Sequence, residues 1–180
     1  MSNMKKLFKH FITITRHRHM VVKFCFKCGL YKQGLLHDLS KYSFVEFFNG
    51  VKYYAGTYSP ITNERKDKGY SDAWMHHKGR NKHHTEYWID LNNETGKYEP
   101  IEMPNRYIGE MLCDRIAASI NYNKKNYNSK MPLEYLYRTK DKTPMHPKTF
   151  EKIEFLLKMY YEVGQKETFK YIKKNYRNKK

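Results

Sequence analysis

No stretch of this sequence stays apolar for the roughly 20 residues that a membrane-spanning helix requires. The apolar residues near the N-terminus are broken by Lys9, His10, Arg16 and Arg18, so neither a span nor a secretory leader is expected there, and no membrane partner. Acidic residues are scarce. There are 18 Asp+Glu against 35 Lys+Arg, a formal net charge of +17 that points to anionic partners: nucleic acid, nucleotides or phosphorylated metabolites. Cysteine is scarcer still, at three. Cys25 and Cys28 have CxxC spacing, but Cys113 alone cannot complete a four-thiolate zinc site. The three read as core thiols of a protein in reducing cytoplasm. There is also no β-rich run, internal repeat or interdomain linker.

What is present is apolar and aromatic mass. The chain is 39% hydrophobic and 16% aromatic, too much for disorder, and its 180 residues suit one domain spanning 1–180. Its basic end, Lys173 to Lys180, reads as a solvated, disordered tail.

The apolar residues recur mostly at helical spacing. Phe8, Phe11, Ile12 and Thr15 lead into Val21, Val22, Phe24, Cys25 and Cys28. Gly29 and Gly34 mark a stop and turn, after which a short helix carries Leu35 to Leu39, with Leu35, Leu36 and Leu39 expected in the core. Ser43 and Glu46 form a capping-box signature for a helix through about Tyr54. Residues 56–69 read as a loop, Tyr70 to Gly79 as a helix, and 89–104 as a second loop or small hairpin. Pro104 suits the first turn of a helix running to about Tyr122, and Pro147 starts another that ends at Gly164. A last basic helix holds Phe169, Tyr171 and Ile172. The expected fold is an all-α bundle.

Histidines and aspartates stand out against this background. His17, His37-Asp38, His76-His77, His83-His84 and Asp114 are residue types that borderline-hard metals choose. On an uninterrupted helix, neighbours such as His37 and Asp38 point about 100° apart and rarely share one metal. An Asp can, however, bridge two metals while the adjacent His binds one of them. Residues seven apart share a helical face, which pairs His76 with His83 and His77 with His84. Four clustered imidazoles among basic residues repel when protonated, whereas metal binding keeps them neutral. Lys41 lies four residues after His37 and can reach a phosphate oxygen. On spacing alone, a capping or salt-bridged role for Asp114 and a surface basic patch for 76–84 stay open.

The order His, His-Asp, His, His-His, Asp resembles the HD superfamily of metal-dependent phosphohydrolases. Leu35-Leu36-His37-Asp38-Leu39-Ser40-Lys41 is similar to the Leu-Leu-His-Asp-Ile-Gly-Lys stretch of HD-GYP phosphodiesterases, although the Gly-Tyr-Pro element is missing. Four stretches, around His17, Gly34–Ser43, Ala73–His84 and Glu110–Arg115, also resemble domain of unknown function family 5662. The resemblance implies an HD-like helical domain with His17, His37, Asp38 and Asp114 as the basic ligand set. It further implies that His77, His83 and His84 complete a second metal, with Asp38 bridging. Lys41, Arg80, Lys82 and Arg115 become candidates for phosphate contact, and Glu46, Glu86 and Glu110 for outer partners of the ligands. The expected cofactor is a divalent metal, two ions of Mn, Fe, Zn or Ni, with Mg less suited to so many imidazoles. The expected activity is hydrolysis of a nucleotide or other phosphoester. Two alternatives follow from the same residues. One is a diiron oxygenase, as in myo-inositol oxygenase of the same superfamily. The other is a basic nucleic-acid-binding or regulatory protein with a structural metal.

Overall fold

The computed structural model describes residues 2–177. Eight α-helices and one small hairpin are present among them: α1 Asn3–Lys27, α2 Tyr31–Leu36, α3 Phe44–Lys52, α4 Pro60–Lys68, α5 Asp72–Lys78, β1 Ile89–Asn92, β2 Lys97–Pro100, α6 Asn105–Asn123, α7 Met131–Thr139 and α8 Pro147–Asn175. The architecture is an all-α bundle. No helix among the described residues is long and apolar enough to cross a membrane.

α1 and α6 form the central pair, with α2, α3 and the two parts of α8 packed around them. Val21 and Cys25 of α1, with Cys28 at its C-terminal cap, meet Ile108, Leu112, Cys113 and Ile116 of α6 in a core closed by Ile153, Leu156 and Leu157 of α8. All three cysteines are buried free thiols, and Cys28 Sγ lies 3.8 Å from Cys113 Sγ. Burial pushes the Cys113 thiol well above the ordinary cysteine range, so it packs as a neutral hydrophobe.

Several local expectations change. Residues 60–68 form α4 instead of a loop. Pro60 opens it, but its one fully buried residue is Glu64, so no apolar stripe announced it. The hairpin β1–β2 is present, with Ile89 opposite Pro100. The expected basic tail is helical to Asn175, because Ile172 and Tyr176 are buried while Lys173 and Lys174 stay in solvent. Residues 178–180 of that tail lie outside the described residues. At Gly164 the backbone has φ 83° and ψ 172°, a region open essentially to glycine alone, and α8 bends there. The second arm then returns across α1, where Phe169 packs against Phe24 at 5.5 Å.

The Leu35-Leu36-Leu39 expectation is reversed. These side chains are 53, 55 and 46% exposed. The helix ends at Leu36, and the change of direction at His37-Asp38 turns the polar pair inward and the leucines out.

α1 meets α3 at one close contact. The His10 ring abuts Gly50, where an added Cβ would overlap His10 Nε2 and Cε1. Phe47 and Tyr54 enclose the ring at 5.4 and 5.9 Å, so it cannot swing away, and burial pushes its pKa down to about 4. Gly50→Ala is therefore expected to cost about 1–3 kcal/mol, a fall in Tm of roughly 2–12 °C for a chain of this size. His10→Ala in the same chain should recover most of the loss in a thermal melt. An unchanged melting point for Gly50→Ala would contradict the packing.

Candidate metal centre

Four parts of the chain deliver donors to one buried point. α1 presents His17 from its inner face, one turn before Val21. α6 presents Glu110 and Asp114 one turn apart. The break after α2 presents His37 and Asp38, and α5 with the turns behind it presents His77, His83 and His84.

The break after α2 is what allows neighbours to converge. His37 has φ −53° and ψ 126°, and Asp38 sits in the left-handed region at φ 53°. Asp is among the few residues that tolerate that region. Arg18 holds the turn from α1, donating to the Leu35 carbonyl at 2.7 Å and to the His37 carbonyl at 3.2 Å. Two carbonyls that the ended helix leaves free are thereby satisfied.

Two glutamates orient the imidazoles. Glu110 Oε1 accepts from His37 Nδ1 at 2.9 Å and lies 3.1 Å from His83 Nδ1. Glu46 places Oε1 at 2.6 Å from His76 Nδ1 and Oε2 at 2.7 Å from His77 Nδ1. A carboxylate on Nδ1 takes the proton there and leaves the Nε2 lone pair facing inward, as in carboxylate–histidine–metal arrangements. Ser43 caps α3 through the Glu46 amide, but the Glu46 side chain serves the histidines instead of closing the capping box.

Asp38 is the centre of the constellation. Its Oδ2 faces His37 Nε2 at 3.3 Å and His17 Nε2 at 3.6 Å; Asp114 Oδ1 completes this side at 3.0 Å from His17 and 3.6 Å from His37. Its Oδ1 faces His77 Nε2 at 3.3 Å and His83 Nε2 at 3.5 Å, with His84 Nε2 2.9 Å from His77 Nε2. The donor atoms fall into groups compact enough to hold an ion: His17, His37, Asp38 and Asp114 on one side, and Asp38, His77, His83 and His84 on the other.

The polar balance also calls for a cation. His17 Nε2, His37 Nε2, Asp38 Oδ1 and His83 Nε2 are buried without a hydrogen-bond partner. Each such atom costs about 1–3 kcal/mol when left unpaired, and these four converge. Burial works against every charge here, but the mutual attraction of the group outweighs it. His37 is raised well above its ordinary range by Asp38, Asp114 and Glu110, and His77 is raised by Asp38 and Glu46. Asp38 is held well below the carboxylate range by His37, Lys41 and His77, and Asp114 by His17 and His37. Burial, together with the neighbouring His83 and His77, pushes His84 well down, which keeps it neutral. Imidazole nitrogens mixed with carboxylate oxygens suit Mn, Fe, Zn or Ni better than Mg.

The four cationic candidates part ways. Lys41 Nζ lies 2.5 Å from Asp38 Oδ2 and is the most exposed side chain at that oxygen. Arg80 is exposed and donates to the His76 carbonyl at 3.1 Å. Lys82 lies over the Tyr87 ring at 5.3 Å and the Tyr107 ring at 5.9 Å. Arg115 turns to the Tyr135 ring at 5.8 Å, its Nε and Nη1 unpartnered. Only Lys41 makes a polar contact with the ligand set. Of the expected outer partners, Glu46 and Glu110 touch ligands, whereas Glu86 accepts from Thr85. His76 reaches Glu46 but none of the donor groups.

A family model described as "Family of unknown function (DUF5662)" matches residues 6–159. The chain belongs to this family. No curated protein and no solved structure matches it. All seven donors of this DUF5662 chain, and both orienting glutamates, fall inside the matched span. Arg18 had no signal in the sequence beyond its spacing from His17. The pairing of His77 with His84 does occur, but through turns after α5 and not along a continuous helix.

Glu110→Gln tests the orienting role. It keeps shape but weakens the hold on His37 Nδ1 and removes the charge beside His83 Nδ1. Metal affinity, read by calorimetric titration, is expected to fall about 10–100-fold. Glu86→Gln serves as the control and should leave affinity unchanged.

Proposed function

We propose that this chain is an HD-type, metal-dependent phosphohydrolase that uses two divalent cations sharing Asp38 to cleave a nucleotide or other phosphoester. The observation that carries the reading is the division of the donors by the two Asp38 oxygens, with unpaired imidazole nitrogens on both sides. The resemblance of the ligand order to the HD superfamily and the net charge of +17 support it.

His17, His37, Asp38 Oδ2 and Asp114 would hold one ion, and His77, His83, His84 and Asp38 Oδ1 the other. Ions so held would supply a coordinated water of lowered pKa and charge to polarise a phosphoryl oxygen. Glu110 and Glu46 fix the tautomer and aim of the imidazoles. Lys41 and Asp114, with side chains 28 and 18% exposed, leave the Asp38 cluster open on one side, from which a substrate would reach it. Lys41 is the residue placed there to neutralise a phosphoryl oxygen.

The test is purified protein loaded with Mn, Fe or Zn and assayed against phosphomonoesters, nucleotides and cyclic nucleotides. Turnover that needs metal and stops with chelator is expected. Absence of turnover with every metal would sink the assignment. Five imidazoles in the donor set also fit a diiron oxygenase. Oxygen consumption with Fe alone, and no hydrolysis with a redox-inactive metal, would favour that second reading.

A further inference from the structure

α1 carries a second apolar stripe that nothing in the fold covers. Its inner face, His10, Ile14, His17 and Val21, is committed to the core and the donor cluster. Met4, Phe8, Phe11 and Ile12 recur on a different arc and are 67, 60, 45 and 59% exposed. The stripe continues sideways. Tyr42 packs edge-on against Phe11 at 6.1 Å and meets Thr15 Oγ1 at 3.0 Å. Arg18 binds the Leu35 carbonyl, which places the outward-facing leucines beside the same helix. Beyond them Phe44, 83% exposed, stacks on Phe48 at 5.9 Å. A connected apolar surface of this kind is rare on a protein that meets only water and marks an interaction site.

The charge beside it is of one sign. Lys5, Lys9, Arg16, Lys23 and Lys27 recur on the adjoining arc of α1, all exposed. The carboxylates that precede Asp67 in the chain, Asp38, Glu46 and Glu64, are all buried. No exposed carboxylate among the described residues of α1 to α3 offsets this face. A second copy of the chain would bring like charge against like charge. Duplex nucleic acid would satisfy the lysines but offers nothing to Met4, Ile12 and Leu36. The hollow that Phe11, Ile12 and Met20 line is open and rimmed by Arg16 and Lys23, so any occupant of this face meets cations beside the apolar side chains.

We propose that this face docks the protein on an anionic phospholipid surface, a peripheral contact that replaces the expectation of no membrane partner, which rested on the lack of a spanning helix. α1 lies in the interface without spanning it. Phe8, Ile12 and Phe44 enter the acyl boundary, while the lysine arc reaches the headgroups.

Vesicle flotation with the full chain tests this, using phosphatidylcholine alone and phosphatidylcholine mixed with phosphatidylglycerol. Binding to the mixed vesicles, weak binding to the neutral ones and release by salt are expected. The Phe8→Asp/Phe44→Asp chain should bind at least about tenfold more weakly, with its melting point kept. Lys5→Glu/Lys9→Glu should weaken binding by a similar factor and serves if the first variant does not fold. No binding to mixed vesicles would overturn the proposal. So would undiminished binding by the aromatic variant, or a dimer in light scattering that the same variant dissociates.

Discussion

Asp38→Asn is expected to empty both sides of the cluster at once. Elemental analysis should show loss of all bound metal, and phosphoester turnover should fall by more than the roughly 100-fold that bounds changes in orienting partners. The exchange is specific because Asn, like Asp, tolerates the left-handed backbone found at φ 53°. It removes the charge without removing the turn. The neighbouring substitutions should divide. Asp114→Asn touches only the side built on His17 and His37, and His84→Ala only the side built on His77 and His83. An Asp38→Asn protein that retains one full equivalent of metal would exclude the shared carboxylate.

Chelation should lower the melting point by about 5–10 °C for each ion removed. A ligand present at about 100 times its Kd stabilises the native state by roughly 2.7 kcal/mol. For a chain of this size each kcal/mol moves Tm by about 2–4 °C. The effect has a definite pH dependence. With metal bound, imidazoles must be neutral, so affinity grows as pH rises. In the chelated protein His37 and His77 are raised by Asp38 and their other carboxylate neighbours. Their contribution to stability is complete below the unfolded histidine pKa of about 6.5 and is lost as pH rises through the raised values. The gap between loaded and chelated protein should therefore widen above about pH 6.5. A gap that narrows over that range would place the stabilising ions elsewhere.

The all-α fold was legible because Ser43, Pro104 and Pro147 mark helix starts and the apolar stripes of α1, α6 and α8 are strong. The His and Asp side chains stood out by residue type, but the choice of these seven came from the resemblance of their order to the HD set, and the structure brings them together in groups that could hold a metal. Three things were hidden, each for a reason. α4 has no apolar face. Its Glu64 is held at a distance by Ser71 Oγ and the amides of Asp72 and Ala73, at the start of α5. The leucines around His37-Asp38 were misplaced because helical phase fails where the helix ends, and only tertiary contact from Arg18 fixes the new direction. Glu46 read both as a local cap and as a candidate outer partner, and only the fold decides between them, since its carboxylate pairs across to His76 and His77, some thirty residues further along the chain.

The bend at Gly164 has a consequence for how the chain comes together. The family match stops at residue 159, just before the bend. The arm beyond it finds its seat on Phe24, Leu30 and Gly109, where a Cβ at Gly109 would stand 2.8 Å from Leu30 and 3.2 Å from Ile172. Every part of that seat is made by helices that precede the arm. The arm therefore depends on the body for its packing, and through Phe169, Ile172 and Tyr176 it closes the same core that the body builds.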